Sequence, residues 1–118
     1  MGNLWYKCKG EVWCDLFKLD MEHPVLKTAE GVYIIWTGIN ERKVLKVGSG
    51  LIRSQLMTAR QDVTINAFAT RGVFVTWSEV GKVKRDGVEA YLINSLSPLF
   101  VAYKPKAIPI KIKLPWEE

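Results

Sequence analysis

Three side chains fit for chemistry stand beside glycines in this chain: Tyr33 in Gly31-Val-Tyr33, Lys46 in Lys46-Val-Gly48-Ser-Gly50, and Glu89 in Asp86-Gly-Val-Glu89-Ala-Tyr91. A phenol, an ammonium and a carboxylate can between them move a proton, balance negative charge and hold a cation. Each also has a plain structural account. A tyrosine in an apolar strand is commonly a core residue with a tethered hydroxyl, and a helix glutamate is commonly exposed. Lys46 is either a solvated strand residue or a phosphate contact. His23, before Pro24, reads as an exposed loop histidine. Cys8 and Cys14 lack the second cysteine pair or the histidines that a zinc site needs. Both are expected to be buried free thiols, and a disulfide is not expected in a reducing compartment.

These residues need elements to position them. Val32–Trp36 is a short β-branched run bounded by Gly31 and Gly38, and it predicts a buried strand. Asn40 to Lys43 forms the turn, Val44–Val47 the return strand, and Gly48-Ser-Gly50 a tight exit. Leu51–Arg60 has helical spacing, with Ile52, Leu56 and Ala59 on one face. Asp62 opens a second short helical piece that Arg71-Gly72 ends. Val73–Val80 reads as a strand throughout. Gly81 to Gly87 reads as a polar turn with Asp86 as N-cap of a helix over Val88–Leu96, which puts Glu89 in a first turn, where the helix dipole favours an ionised carboxylate. Upstream, residues 11–17 suggest a strand with Val12, Cys14 and Leu16 on one face, and Val25–Glu30 a connector. Pro105, Pro109 and Pro115 make the tail an extended edge segment. The expectation is one small α/β domain, an α+β sandwich. Its central three-stranded, mainly antiparallel sheet is flanked by helices and extended by N-terminal and C-terminal strands.

With 118 residues, the chain is long enough for a single core. The expected division is a core over 31–100, an aromatic-rich segment over 1–30 and a Pro/Lys-rich tail over 101–118. No apolar run is long enough to span a bilayer, and charged residues from Lys7 to Asp15 interrupt any signal-peptide core. A cytoplasmic location without a membrane partner is the default reading. The net charge of +5 is uneven: residues 1–30 carry four basic and five acidic side chains, and residues 31–118 carry thirteen and seven. That surplus suits an anionic partner such as nucleic acid, and it also serves solubility.

Order and spacing over about residues 31–100 resemble the GIY-YIG nuclease superfamily. The shared pattern is a hairpin with a paired motif, a helix, a third strand, and a helix carrying a glutamate. Gly31-Val-Tyr33 stands as the first half-motif and Lys46-Val-Gly48 as an altered second half. The resemblance implies that Glu89 holds a divalent ion, Mg²⁺ or Mn²⁺, against a scissile phosphate. It gives Tyr33 the task of activating water, with basic side chains stabilising the phosphate charge. The implied catalytic set is Tyr33, Lys46, Arg53 and Glu89. Lys43, Lys46, Arg53, Arg60, Lys84 and Arg85 are the implied nucleic-acid contacts, with DNA the expected partner.

Departures from the family pattern weaken the implied activity. Lys46 replaces the second tyrosine, and the Arg-Leu-x-x-His helix pattern falls on Gln55-Leu56-Met-Thr-Ala59. At 100° per residue, Arg53 lies about 160° and Arg60 about 140° round the helix from position 55. The resulting expectation is a nucleic-acid-interacting domain with a depleted catalytic set and weak or absent endonuclease activity. Two rivals are an active metal-dependent endonuclease, and an inactive module contacting a protein partner or a second copy through Trp5, Trp13 or Trp116.

Overall fold

The computed structural model describes residues 5–101 and 103–117. It is an α+β domain around a four-stranded antiparallel sheet. Strands β2 (Glu30–Thr37) and β3 (Lys43–Leu51) form the hairpin. Strand β4 (Val73–Glu79) pairs with the other side of β2, and the two-residue β1 (Cys14–Asp15) pairs outside β4, giving the order β1-β4-β2-β3.

Because β2 is central, both of its faces are covered, which is why Val32–Trp36 is apolar without alternation. Tyr33 and Ile35 point to one core, where Ile52, Leu56 and Ala59 of α2 (Ile52–Arg60) and Ile65 of α3 (Val63–Asn66) close over them. Asp62 caps α3 by accepting the Thr64 amide at 2.8 Å. Val32, Ile34 and Trp36 point to a second core under α4 (Lys82–Leu96), with Val88 and Leu92 opposite. Burying each such aliphatic side chain contributes about 1.5–3 kcal/mol.

One irregularity decides how the hairpin presents its side chains. Ile35 faces Lys46 and Trp36 faces Val44, so β3 carries an extra residue at Leu45. Such a bulge resets the alternation of the strand. Val44 and Val47, three residues apart, therefore both enter the α4-side core.

Several sequence expectations change. The strand over 11–17 shrinks to Cys14–Asp15, and Val12 is 57% exposed while Cys14 and Leu16 are buried. The cause is a tight loop: the Cys8 amide donates to the Val12 carbonyl at 2.8 Å, and Gly10 and Glu11 at positive φ turn the chain back. Cys8 and Cys14 are not free thiols; they form a disulfide across a Cα separation of 5.2 Å. The connector over 25–30 holds the short helix α1 (Pro24–Thr28), started by Pro24 and by His23, whose Nδ1 accepts the Val25 amide.

The last helix begins at Lys82, six residues earlier than expected, so Asp86 is inside it and Glu89 is beyond its first turn. Gly87 is no stop signal here. It opens a gap for the tail: a Cβ there would lie 2.6 Å from Ile110 Cδ1, and the Ile110 amide donates to the Gly87 carbonyl at 2.9 Å. Beyond α4 the chain runs along the outer edge of β3, where the Leu99 and Phe100 amides donate to Val44 and Leu45. The tail adds no further strand among the described residues. Instead Ile112, Leu114 and Trp116 pack on the α4-side core, and Trp5 Nε1 donates to the Lys113 carbonyl at 2.8 Å.

Candidate functional site

A pocket of about 330 Å³ opens where the segment after α4 leaves the edge of β3. Four elements contribute. Tyr33 comes from β2; Lys46, Gly48 and Ser49 from β3; Gln55 from α2; and Asp86 and Glu89 from α4. Phe100, Val101 and Tyr103 form the outer wall.

Gly48 makes the convergence possible. It sits directly opposite Tyr33, whose ring lies across it: a Cβ on Gly48 would stand 2.4 Å from the tyrosine oxygen. The hydroxyl thereby crosses the edge strand and donates to Gln55 Oε1 at 3.0 Å. Burial first, and the neighbouring Glu89 charge second, push the Tyr33 phenol well above its ordinary range. It is a proton donor at neutral pH.

On the opposite face of β3, the Ser49 hydroxyl donates to Glu89 Oε1 at 2.5 Å. Glu89 is only 6% exposed, which overturns its reading as an ordinary surface glutamate. Burial raises its pKa, the Ser49 hydrogen bond opposes that rise, Asp86 adds to it, and Lys46 lowers it. The first-turn dipole expected to favour ionisation is absent, because seven residues of α4 precede Glu89. Asp86 and Glu89, three apart on one helix, share a face, and they are the two carboxylates in the pocket lining.

The arginines go elsewhere. Arg53 donates Nε to the Met21 carbonyl at 2.8 Å and pairs with Glu22, whose pKa it lowers mainly through that side-chain hydrogen bond. Arg60 donates Nε to the Leu16 carbonyl at 2.8 Å and also binds the Leu19 carbonyl. Both tie the N-terminal segment to α2. Arg85 binds the Val80 carbonyl and reaches Glu30 at 3.4 Å. Lys43 and Lys84 are exposed outside the pocket. Of the residues expected to act, the pocket therefore unites Tyr33, Lys46 and Glu89 and leaves out Arg53, Arg60 and Arg85.

Ser49 and Asp86 were missed by sequence reasoning. The spacing of Asp86 to Glu89 was a usable signal, hidden by assigning Asp86 to a cap. Gln55, where the family pattern has an arginine, supplies the acceptor that orients Tyr33. Among the described residues, no group of three or more His, Cys, Asp or Glu side chains converges. No helix there is long and apolar enough to cross a membrane. No known family, curated protein or solved structure matches the chain.

Proposed function

We propose that this chain is a GIY-YIG-like domain that binds nucleic acid and retains a depleted catalytic set, with weak or absent endonuclease activity. The observation that supports this reading is the meeting of Tyr33, Gly48 and Glu89, from three separate elements, in one pocket with Lys46. Against full activity, no arginine or histidine lines that pocket among the described residues. Removing one charge-stabilising donor from a site of this kind costs about 10²–10³ in rate.

The active metal-dependent endonuclease is the second reading, favoured by the Asp86–Glu89 pair. That pair fits Mg²⁺ or Mn²⁺, since Mg²⁺ is commonly held by one or two carboxylates together with water and substrate phosphates. Such an ion would polarise a phosphoryl oxygen. The chain's own residues would do the remaining work. Lys46 would balance phosphate charge, Gln55 would hold the Tyr33 proton, and Ser49 would fix the Glu89 carboxylate.

The tryptophans of the protein-contact reading are half-buried within the domain. Trp13 and Trp116 lie in T-shaped contact with buried Trp36, and Trp5 packs on the same core. The cytoplasmic reading sits poorly beside the Cys8–Cys14 disulfide, because cytosolic thiols are kept reduced. An oxidising compartment suits the bonded state.

Binding to labelled DNA at low and rising salt tests the proposal, with affinity expected to fall steeply as salt rises. Absence of binding at low salt would sink it. Efficient, multiple-turnover cleavage in Mg²⁺ or Mn²⁺ that vanishes in Glu89→Gln would replace it with the second reading.

A further inference from the structure

All three arginines expected to meet nucleic acid are engaged within the chain, and two others are as well. Arg53, Arg60 and Arg85 bind backbone carbonyls, while Arg42 and Arg71 lie over Trp116 and Phe68. Exposed lysines supply the available positive charge, and the tail holds four of them in a stretch without acidic residues. No Asp or Glu occurs between Glu89 and Glu117, whereas Lys104, Lys106, Lys111 and Lys113 fall within that interval. None of these four forms an ion pair among the described residues.

Their direction follows from the extended chain. Pro105 is buried between exposed Lys104 and Lys106, and half-buried Ile112 and Leu114 alternate with exposed Lys111 and Lys113. Period-two alternation turns the lysines outward while the apolar side chains anchor the segment. Within each pair the lysines are roughly 6.5 Å apart along the chain. Anchoring matters, because a preformed surface loses less conformational freedom on binding. The segment starts at the pocket, since Tyr103 both lines its mouth and is 67% exposed, and exposed Ile108 to Ile110 link its two lysine pairs.

We propose that segment 103–113 is the track for a single-stranded nucleic acid, its phosphodiester backbone on the four lysines and a base stacked on Tyr103 at the pocket mouth. This rests on the nucleic-acid reading above and names the form of strand and the surface that takes it. Two pairs of exposed lysines following an exposed aromatic ring suit single strands, whose unpaired bases offer a face for stacking. A duplex keeps those faces occupied.

Anisotropy titrations of the full chain with labelled oligothymidylate, over a range of salt, test the inference. Lys104→Gln/Lys106→Gln and Lys111→Gln/Lys113→Gln should each flatten the log–log salt slope by about 1.4, at ~0.7 per lysine. Tyr103→Ala should weaken binding about 5- to 150-fold with the slope unchanged. Lys18→Gln, an exposed lysine off the track, should leave the slope alone. If the wild type binds but the tail pairs behave like Lys18→Gln, the inference falls while the function proposed above survives. Equal affinity for duplex and single strand, with no effect of Tyr103→Ala, also overturns it. If the wild type binds no nucleic acid at low salt, both fall.

Discussion

The two edges of the sheet are finished in opposite ways. Along β4, the edge is sealed: β1 pairs with it, the Leu16 amide donates to Val73, and the Tyr6 amide donates to Trp77 while its ring stacks on that tryptophan at 4.4 Å. The disulfide closes the loop between these contacts. Along β3, the covering segment bonds at Val44 and Leu45, then moves away and leaves a pocket lined by Lys46, Gly48 and Ser49. Sealing protects an edge from unwanted strand pairing. Opening one gives polar groups access to a ligand, at a cost in stability from buried charge such as Glu89.

The contrast can be broken at the sealed edge first. Replacing both cysteines (Cys8→Ser/Cys14→Ser) should lower unfolding free energy by about 2–4 kcal/mol, toward the lower end because the closed loop is short. Urea melts measure this, and an unchanged midpoint would mean the arm is held by its hydrogen bonds alone. At the open edge, Gly48→Ala should cost about 1–3 kcal/mol by overpacking against Tyr33. A double-mutant cycle with Tyr33→Leu should recover part of that loss; simple additivity would show that the ring is not the obstacle.

Smaller effects sharpen the comparison. Tyr33→Phe removes the bond to Gln55 and should cost roughly 0.5–1.5 kcal/mol. It should also reduce the alkaline loss of stability: the folded tyrosine keeps its proton above the ordinary value of 10.0, so ionisation favours the unfolded chain as pH rises past it. Glu89→Gln acts in the same direction at lower pH. Since the folded carboxyl stays protonated above its ordinary 4.5, stability conferred below that value is lost as pH rises through the raised pKa. The variant should flatten this decline. A steeper decline would show that the Ser49 bond outweighs burial.

The hairpin, the third strand and the helix carrying Glu89 were legible because runs of β-branched residues and helical spacing reflect local covering by a core. The bulge at Leu45 was not, since it is set by pairing with β2, not by residue type. The early start of α4 was hidden by Gly87, which is there for Ile110 from the distant tail and breaks the local pattern. Tyr33 was readable as a tethered core tyrosine. Its position over Gly48 needed the strand register. The buried state of Glu89 and the internal use of Arg53 and Arg60 depend on contacts between segments far apart in the chain, which spacing cannot express.

The bond from Trp5 to the Lys113 carbonyl brings together residues 108 positions apart. It makes the described chain nearly a closed circuit, with entry and exit side by side. Neighbouring ends favour circular permutation and insertion into another polypeptide. A permutant joined by a short Gly/Ser bridge across those ends, and opened instead at the exposed Ile39–Glu41 turn, should keep the sheet and the pocket. The fold can thus be carried as a cassette.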